Sequence, residues 1–225
     1  MQRVILETKD GLKIVGDYYD LATSKKGVLL LHMMPENRKS WFDLAIKLED
    51  LGFQVLAIDL RGHGESSFGP DGYKNFSNED HQKSILDIEA GIYFFKALEI
   101  LPENIILGGA SIGANLALWY ASENEEIKKI FCLSPGIDYR GIKPLEFVFK
   151  LKSSQKIFIA SSEDDIRENG SSNALESHKI FEAIPKEVEK KLIIYSSAGH
   201  GTNMFFKNKE NEEDLIKEII NWIKN

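Results

Sequence analysis

Apolar residues recur along this chain in two rhythms. Short continuous runs, such as Gly27-Val28-Leu29-Leu30-Leu31-His32 and Phe53-Gln54-Val55-Leu56-Ala57-Ile58-Asp59, alternate with longer stretches where apolar residues return every three or four positions. A continuous apolar run of this length predicts a strand buried on both faces. The wider spacing predicts helices around Trp41 to Leu51, Asn78 to Leu98 and Asn173 to Ala183. Further strands are expected near Ile105, over Lys129 to Leu133, over Lys156 to Ser161 and over Leu192 to Tyr195. Leu215, Ile216, Ile219, Ile220 and Ile223 form the apolar stripe of a terminal helix. At the other end, Val4 to Glu7 and Leu12 to Tyr19 read as strands, with Asp10-Gly11 between them as a hairpin signal.

Two stretches break the rhythm. Pro135, Gly136, Gly141 and Pro144 mark an irregular segment, with a short helix expected over Glu146 to Leu151. Lys186 to Lys191, rich in Lys and Glu, reads as a solvated turn. A hairpin followed by alternating strands and helices predicts one mostly parallel, doubly wound sheet. There is no internal repeat or linker, and 225 residues suit a single domain over 1–225.

Charge narrows the partners. With 28 Lys and Arg against 35 Asp and Glu, the chain carries a formal charge of −7 and no basic block. That disfavours nucleic acid and anionic membranes and leaves small neutral substrates open. The one cysteine, Cys132, sits in an apolar run and reads as a small buried hydrophobe. No Cys/His cluster has zinc spacing, so no metal is expected. Met1 to Glu7 lacks a signal-peptide core, and no apolar run is long enough to span a bilayer, so the expected location is the cytoplasm.

The chemistry concentrates in Ile105 to Tyr120. This stretch begins as a strand, passes through Gly109-Ala110-Ser111-Ile112-Gly113 and continues as a helix. At a sharp strand-to-helix turn the residue at the bend is strained, and the residues two before and two after must be small. Glycine fits both places, and the turn lifts the Ser111 hydroxyl to the end of the sheet beside a helix N-terminus. A serine nucleophile needs a base, and the base needs an orienting group. Of the five histidines, His200 alone lies in a flexible loop after the last strand, Ser197-Ala198-Gly199-His200-Gly201-Thr202. For the acid, Glu163, Asp164 and Asp165 follow the strand ending at Ser161. A carboxylate there stands at the right edge to reach His200, and the pattern alone does not choose among them.

The order Ser111, then Asp164 or Asp165, then His200 resembles the chain order of the α/β-hydrolase family. Asp59-Leu60-Arg61-Gly62-His63-Gly64-Glu65-Ser66 looks like that family's D-x-R-G-x-G-x-S turn. Leu31-His32 resembles its "HG" segment, and Trp41 falls where the family often has tryptophan. The resemblance covers nearly the whole chain and is closest to small lidless serine esterases and dienelactone-hydrolase-like members. Many of the latter use cysteine, whereas this chain has Ser111.

The resemblance implies an α/β-hydrolase fold with an eight-stranded sheet and no large cap. It also implies a serine carboxylic-ester hydrolase that needs no cofactor and acts on small or short-chain acyl groups. Ser111 would be the nucleophile, His200 the base and Asp165 the acid, with Asp164 the alternative. The family's acid usually stands third after a small residue closing the strand; counting from Ser162 gives Asp165, and from Ser161, Asp164. The backbone N–H groups of Ile112 and Met34 would form the oxyanion hole. The family's "HG" glycine is replaced by Met33, which bears on the shape of that loop and of the acyl pocket. Met33 and Met34 read equally as core filling or as pocket lining. Arg61 is expected to brace loops, His63 to be a turn residue and Asn115 to lie on the helix surface or make a local hydrogen bond. A thioesterase, acyltransferase or peptidase with the same residues, or a non-catalytic ligand-binding member of the fold, are the alternatives. Oligomeric state is not legible.

Overall fold

The computed structural model describes residues 1–20, 24–167, 169–206 and 209–224. The strands of the described residues join in one eight-stranded sheet: β1 (Gln2–Glu7), β2 (Lys13–Tyr19), β3 (Gly27–Leu31), β4 (Gln54–Ile58), β5 (Ile105–Ala110), β6 (Lys129–Leu133), β7 (Lys156–Ser162) and β8 (Glu189–Tyr195). Their order across the sheet is β1-β2-β4-β3-β5-β6-β7-β8. β2 is antiparallel to both of its neighbours. From β4 to β8 every adjacent pair is parallel.

Helices cover both faces, because each parallel strand is apolar on both sides. Along β3, Val28 and Leu30 face the core shared with Leu44 and Leu48 of α1 (Phe42–Asp50) and Ile216, Ile219 and Ile223 of α6 (Lys209–Lys224). Leu29 and Leu31 face the opposite core, as the two-residue period of a strand requires. That core is completed by α3 (Ile85–Ala97), α4 (Ile112–Glu123) and α5 (Asn173–Ala183), through Phe95, Leu116 and Ile180. This is the expected fold, mostly parallel and doubly wound.

Three local expectations are corrected. The helix expected from Asn78 to Leu98 is two helices, α2 (Asn78–Gln82) and α3, separated at Lys83 and Ser84. His81 and Asp87 are both buried. Six positions apart in one continuous helix they would point about 120° apart, so the break lets both turn inward. The charged piece Lys186 to Lys191 is turn only over Lys186 and Glu187, and its second half is strand, since β8 begins at Glu189. β8 lies at the sheet edge, where charge is tolerated and blunts further pairing. Glu189 pairs with Lys156 at 2.7 Å, and Lys190 Nζ donates to Phe181 O and Ile184 O, each at 2.7 Å. Between β6 and β7 the expected short helix is two 3-10 turns, Pro144–Glu146 and Val148–Lys150. Phe147, Val148 and Leu151 pack into the core beneath them. The segment is no cap domain.

β3 leads to β4 on one side, and the next strand, β5, pairs on the other side of β3. Open α/β sheets hold their ligands outside the carboxyl ends of the strands at such a reversal. Ser111 follows β5 and Met34 lies just beyond β3, so the two flank it. No helix among the described residues is long and apolar enough to cross a membrane.

Candidate active site

Ser111 is the single residue between β5 and α4, with φ 54° and ψ −118°. A residue with a side chain is strained there, and such strain persists only where surrounding structure enforces it. The enforcement is visible. A Cβ on Gly113 would run into the carbonyl oxygens of Leu31 and His32, and one on Gly109 into the backbone of Gly113. Strand and helix are therefore in direct backbone contact through both glycines. Ser111 N donates to Leu133 O at 2.8 Å, and Ser111 O accepts from Ala114 N and Asn115 N at 3.0 and 3.1 Å. Ile112 opens α4, and its N–H has no intrahelical acceptor at that position. The positive end of the helix dipole adds to it.

The loop after β3 is shaped by His32. Leu60 N donates to His32 Nε2 at 2.9 Å, which puts the ring proton on Nδ1, 2.9 Å from Met33 O. Burial pushes the His32 pKa down to about 3, so the ring stays neutral and ties the end of β3 to that of β4. Met33 is buried in the core, and a Cβ on Gly201 would meet its sulfur. The residue that replaces the expected glycine thus fills space beneath the His200 loop. Met34 is half-buried and packs against the opposite core.

His200 Nδ1 lies 2.7 Å from Asp165 Oδ2. Asp165 is buried and His200 half-buried. The neighbouring Asp164 accepts from Gly199 N at 2.9 Å, Ala198 N at 3.2 Å and Ser197 Oγ at 3.1 Å. Asp164 therefore holds the loop, while Asp165 meets the ring. Gly201 N donates to Ser134 Oγ at 2.9 Å, and a Cβ on Gly201 would stand 3.4 Å from Ala110 Cβ. These contacts bring the His200 loop against the residue preceding Ser111. Tyr139, in the irregular segment after β6, sits edge-on to the His200 ring with centroids 6.3 Å apart.

Asn115 is not on the helix surface. It is fully buried, its Nδ2 donating to Gly136 O at 2.8 Å and Ile142 O at 2.9 Å while Oδ1 accepts from Gly136 N at 3.1 Å. It anchors the irregular loop after β6, and the only sequence signal was an amide inside an apolar helix. Arg61 braces loops as expected, pairing with Asp87 and Asp10, each at 2.8 Å. His63 stacks on Tyr73 at 4.2 Å. Arg38 is a brace the sequence did not reveal. Buried, it joins Asp17, Asp59 and Glu65 and pins the loop after β3 to the turn after β4. Among the described residues no group of three or more His, Cys, Asp or Glu side chains is placed to hold a metal ion.

A family model described as the alpha/beta hydrolase fold matches residues 27–158. An AB hydrolase superfamily protein of Bacillus subtilis, YisY, is 31% identical over 109 residues, 48% of this chain and 37% of that protein. The chain thus spans little more than a third of that relative's length. The Pyrococcus furiosus esterase Pf2001 superposes with a TM-score of 0.77 at 22% identity, covering 99% of this chain and 89% of its own. An esterase of Exiguobacterium antarcticum, EaEST, gives 0.76 at 15% identity, with 100% of both chains covered.

Proposed function

The chain belongs to the α/β-hydrolase family, and from that premise we propose that it is a serine hydrolase cleaving small, short-chain carboxylic esters, with residues 1–225 as one domain. The observation that carries the reading is the strained Ser111 at a strand–helix junction, with the Asp165–His200 pair on the loop packed beside it. The esterases of the same fold support the ester as the substrate class.

In this reading Ser111 Oγ attacks the ester carbonyl carbon, and its proton passes to His200 Nε2. Asp165 holds the Nδ1–H and stabilises the imidazolium that forms. The carbonyl oxygen becomes an oxyanion and takes hydrogen bonds from the N–H groups of Ile112 and Met34. Loss of one such donor costs on the order of 100- to 1000-fold in turnover. Collapse breaks the ester C–O bond, and His200 returns its proton to the departing alcohol. Water, deprotonated by His200, then cleaves the acyl–Ser111 bond and releases the carboxylic acid. A thioester or amide would follow the same steps, as would an acyl transfer in which another nucleophile replaces water.

The test is labelling with a fluorophosphonate, followed by turnover of p-nitrophenyl esters and acyl-thioesters. The wild type is expected to label once, at Ser111, and Ser111→Ala to lose labelling and turnover together. Folded wild-type protein that neither labels nor turns over any substrate would sink the reading in favour of a ligand-binding member of the fold. Preference for thioesters over esters would move the substrate class and leave the residues in place.

A further inference from the structure

The fold gathers lysines that the sequence keeps apart. Lys26 stands just before β3, Lys128 and Lys129 at the start of β6, and Lys224 at the end of α6. All four line one cavity of about 330 Å³ at the amino ends of the parallel strands. Small-molecule sites run from roughly 300 to 1,000 Å³, so the volume suits a small ligand. Phe53, Ile105, Ile106 and Ile223, all buried, give the cavity an apolar floor. Ser111 follows the other end of β5, a strand of 6 residues and so about 20 Å long. The cavity is therefore separate from the candidate active site.

Its charges do not balance. Lys129 Nζ donates to Ile223 O at 2.8 Å, which uses one of the three N–H groups of the ammonium. Lys128 Nζ donates to Glu125 O at 2.7 Å and to Ser154 Oγ at 3.2 Å. Lys26 Nζ lies 5.8 Å from the centroid of the Phe53 ring. None of the four amines pairs with a carboxylate among the described residues, whereas Lys156, beside Lys129 in the sheet, pairs with Glu189. Against four positive charges the lining holds Glu103 and the negative end of α6, about half a charge. Burial, and then the nearby Lys156 and Lys26, lower the Lys129 pKa against the pull of Glu189, as befits an ammonium group short of a counter-charge.

We propose that this cavity is a second binding site, taking a small amphipathic carboxylate whose charged end meets Lys129 and Lys26 and whose hydrocarbon body lies on Phe53, Ile105 and Ile106. The two halves of the lining fix the class. A bare phosphate would satisfy the lysines and leave the apolar floor wet. A neutral hydrocarbon would cover the floor and leave the ammonium groups without a counter-charge. A carboxylate with an apolar body does both, and its body excludes water from the ion pairs, which strengthens them. The site stands apart from the ester-hydrolase reading and does not depend on it.

The test is a titration of the full chain with octanoate, followed through isoleucine methyl resonances in NMR. Ile105, Ile106 and Ile223 report on the cavity, and Ile112 reports on the candidate active site. Octanoate is expected to shift the first three saturably, with a Kd below about 1 mM. Lys129→Gln should weaken binding by on the order of 10- to 100-fold, the scale of one hydrogen bond to a charged group. Lys26→Gln, whose amine holds no hydrogen bond among the described residues, should weaken it as well and leave the melting temperature unchanged. That variant separates lost charge from disturbed packing at the end of α6. Octan-1-ol, the same body without the charge, should bind at least about tenfold more weakly than octanoate. No shift, or shifts confined to Ile112, overturn the proposal. So do unchanged affinity in either lysine variant, inorganic phosphate binding as well as octanoate, or octan-1-ol binding as tightly. None of these outcomes bears on Ser111 as nucleophile.

Discussion

Asp165 and Asp164 are adjacent in the chain yet serve different parts of one loop: Asp165 meets the His200 ring at 2.7 Å, and Asp164 takes the Gly199 amide at 2.9 Å. The two carboxylates therefore separate in their expected effects. Asp165→Asn presents an amide to Nδ1, leaves the imidazole in the wrong tautomer and should lower turnover by roughly 10⁴-fold. Asp164→Asn retains an acceptor oxygen for the loop amides and should lower it by less than about tenfold, the size of one hydrogen bond at most. Steady-state kinetics of the two variants decide the matter. Near-normal turnover in Asp165→Asn with a crippled Asp164→Asn would exchange the roles.

A second prediction concerns the junction under Ser111. The Cβ of Gly113→Ala would strike the carbonyl oxygens of Leu31 and His32. Both belong to backbone at the end of a central strand, so neither can swing aside like a flexible side chain. Overpacking of this kind costs about 1–3 kcal/mol. Gly113→Ala should therefore lower the urea midpoint and slow fluorophosphonate labelling together. A variant of wild-type stability and labelling rate would show that α4 can draw back from β3 freely.

Much of the fold was legible because the parallel strands are short, apolar on both faces and separated by helices of clear period. What escaped detection depended on partners distant in sequence. Nothing near Lys83 marks the break between α2 and α3, because its cause is the burial of His81 and Asp87 by other segments. Glu189 to Lys191 read as a turn because edge pairing to β7 compensates for their charge. At the candidate site, Ser111 and His200 stood out through their flanking glycines, whereas Asp164 and Asp165 could not be told apart by residue type. Asn115 was misplaced because its acceptors are carbonyls of an irregular loop, Gly136 and Ile142, which no local pattern announces.

Acid sensitivity is the third prediction. Burial pushes His32 down to about 3 and His81 to about 4, against about 6.5 in an unfolded chain. Both rings are neutral in the folded protein when they would already be charged in the unfolded one. The unfolded state then binds more protons, and stability falls as pH falls. The contribution is complete above about 6.5 and is lost from there toward about 4 for His81 and about 3 for His32. The urea midpoint should drop steadily over that window. Two histidine ring resonances in the NMR spectrum should stay at their neutral positions down to pH 5, a value set inside that window. Normal titration of all five histidines near 6.5 would refute this, and with it the sealed packing around His32.

The last prediction concerns acyl length. The stretch from Ser134 to Gln155 is the whole of the connection between β6 and β7, and it forms turns, not a cap. Its aromatic residues do little to enclose a chain. Phe147 is buried and stacks on Trp119 of α4 at 6.3 Å, and Phe149 is 60% exposed. Tyr139 does lie against the site, but its hydroxyl is engaged by Asn173. Each methylene of a longer acyl chain gains about 0.8 kcal/mol only if a wall buries it. With no cap to supply that wall, extra methylenes add bulk and little binding. The ratio kcat/KM across p-nitrophenyl esters should therefore fall beyond about six acyl carbons, a length scaled from that per-methylene gain. Activity should show no jump when the substrate begins to form micelles, because the turns after β6 form no lid for an interface to open. A profile that climbs steadily to long chains, or a sharp rise at the critical micelle concentration, would require an enclosing element beyond the turns after β6.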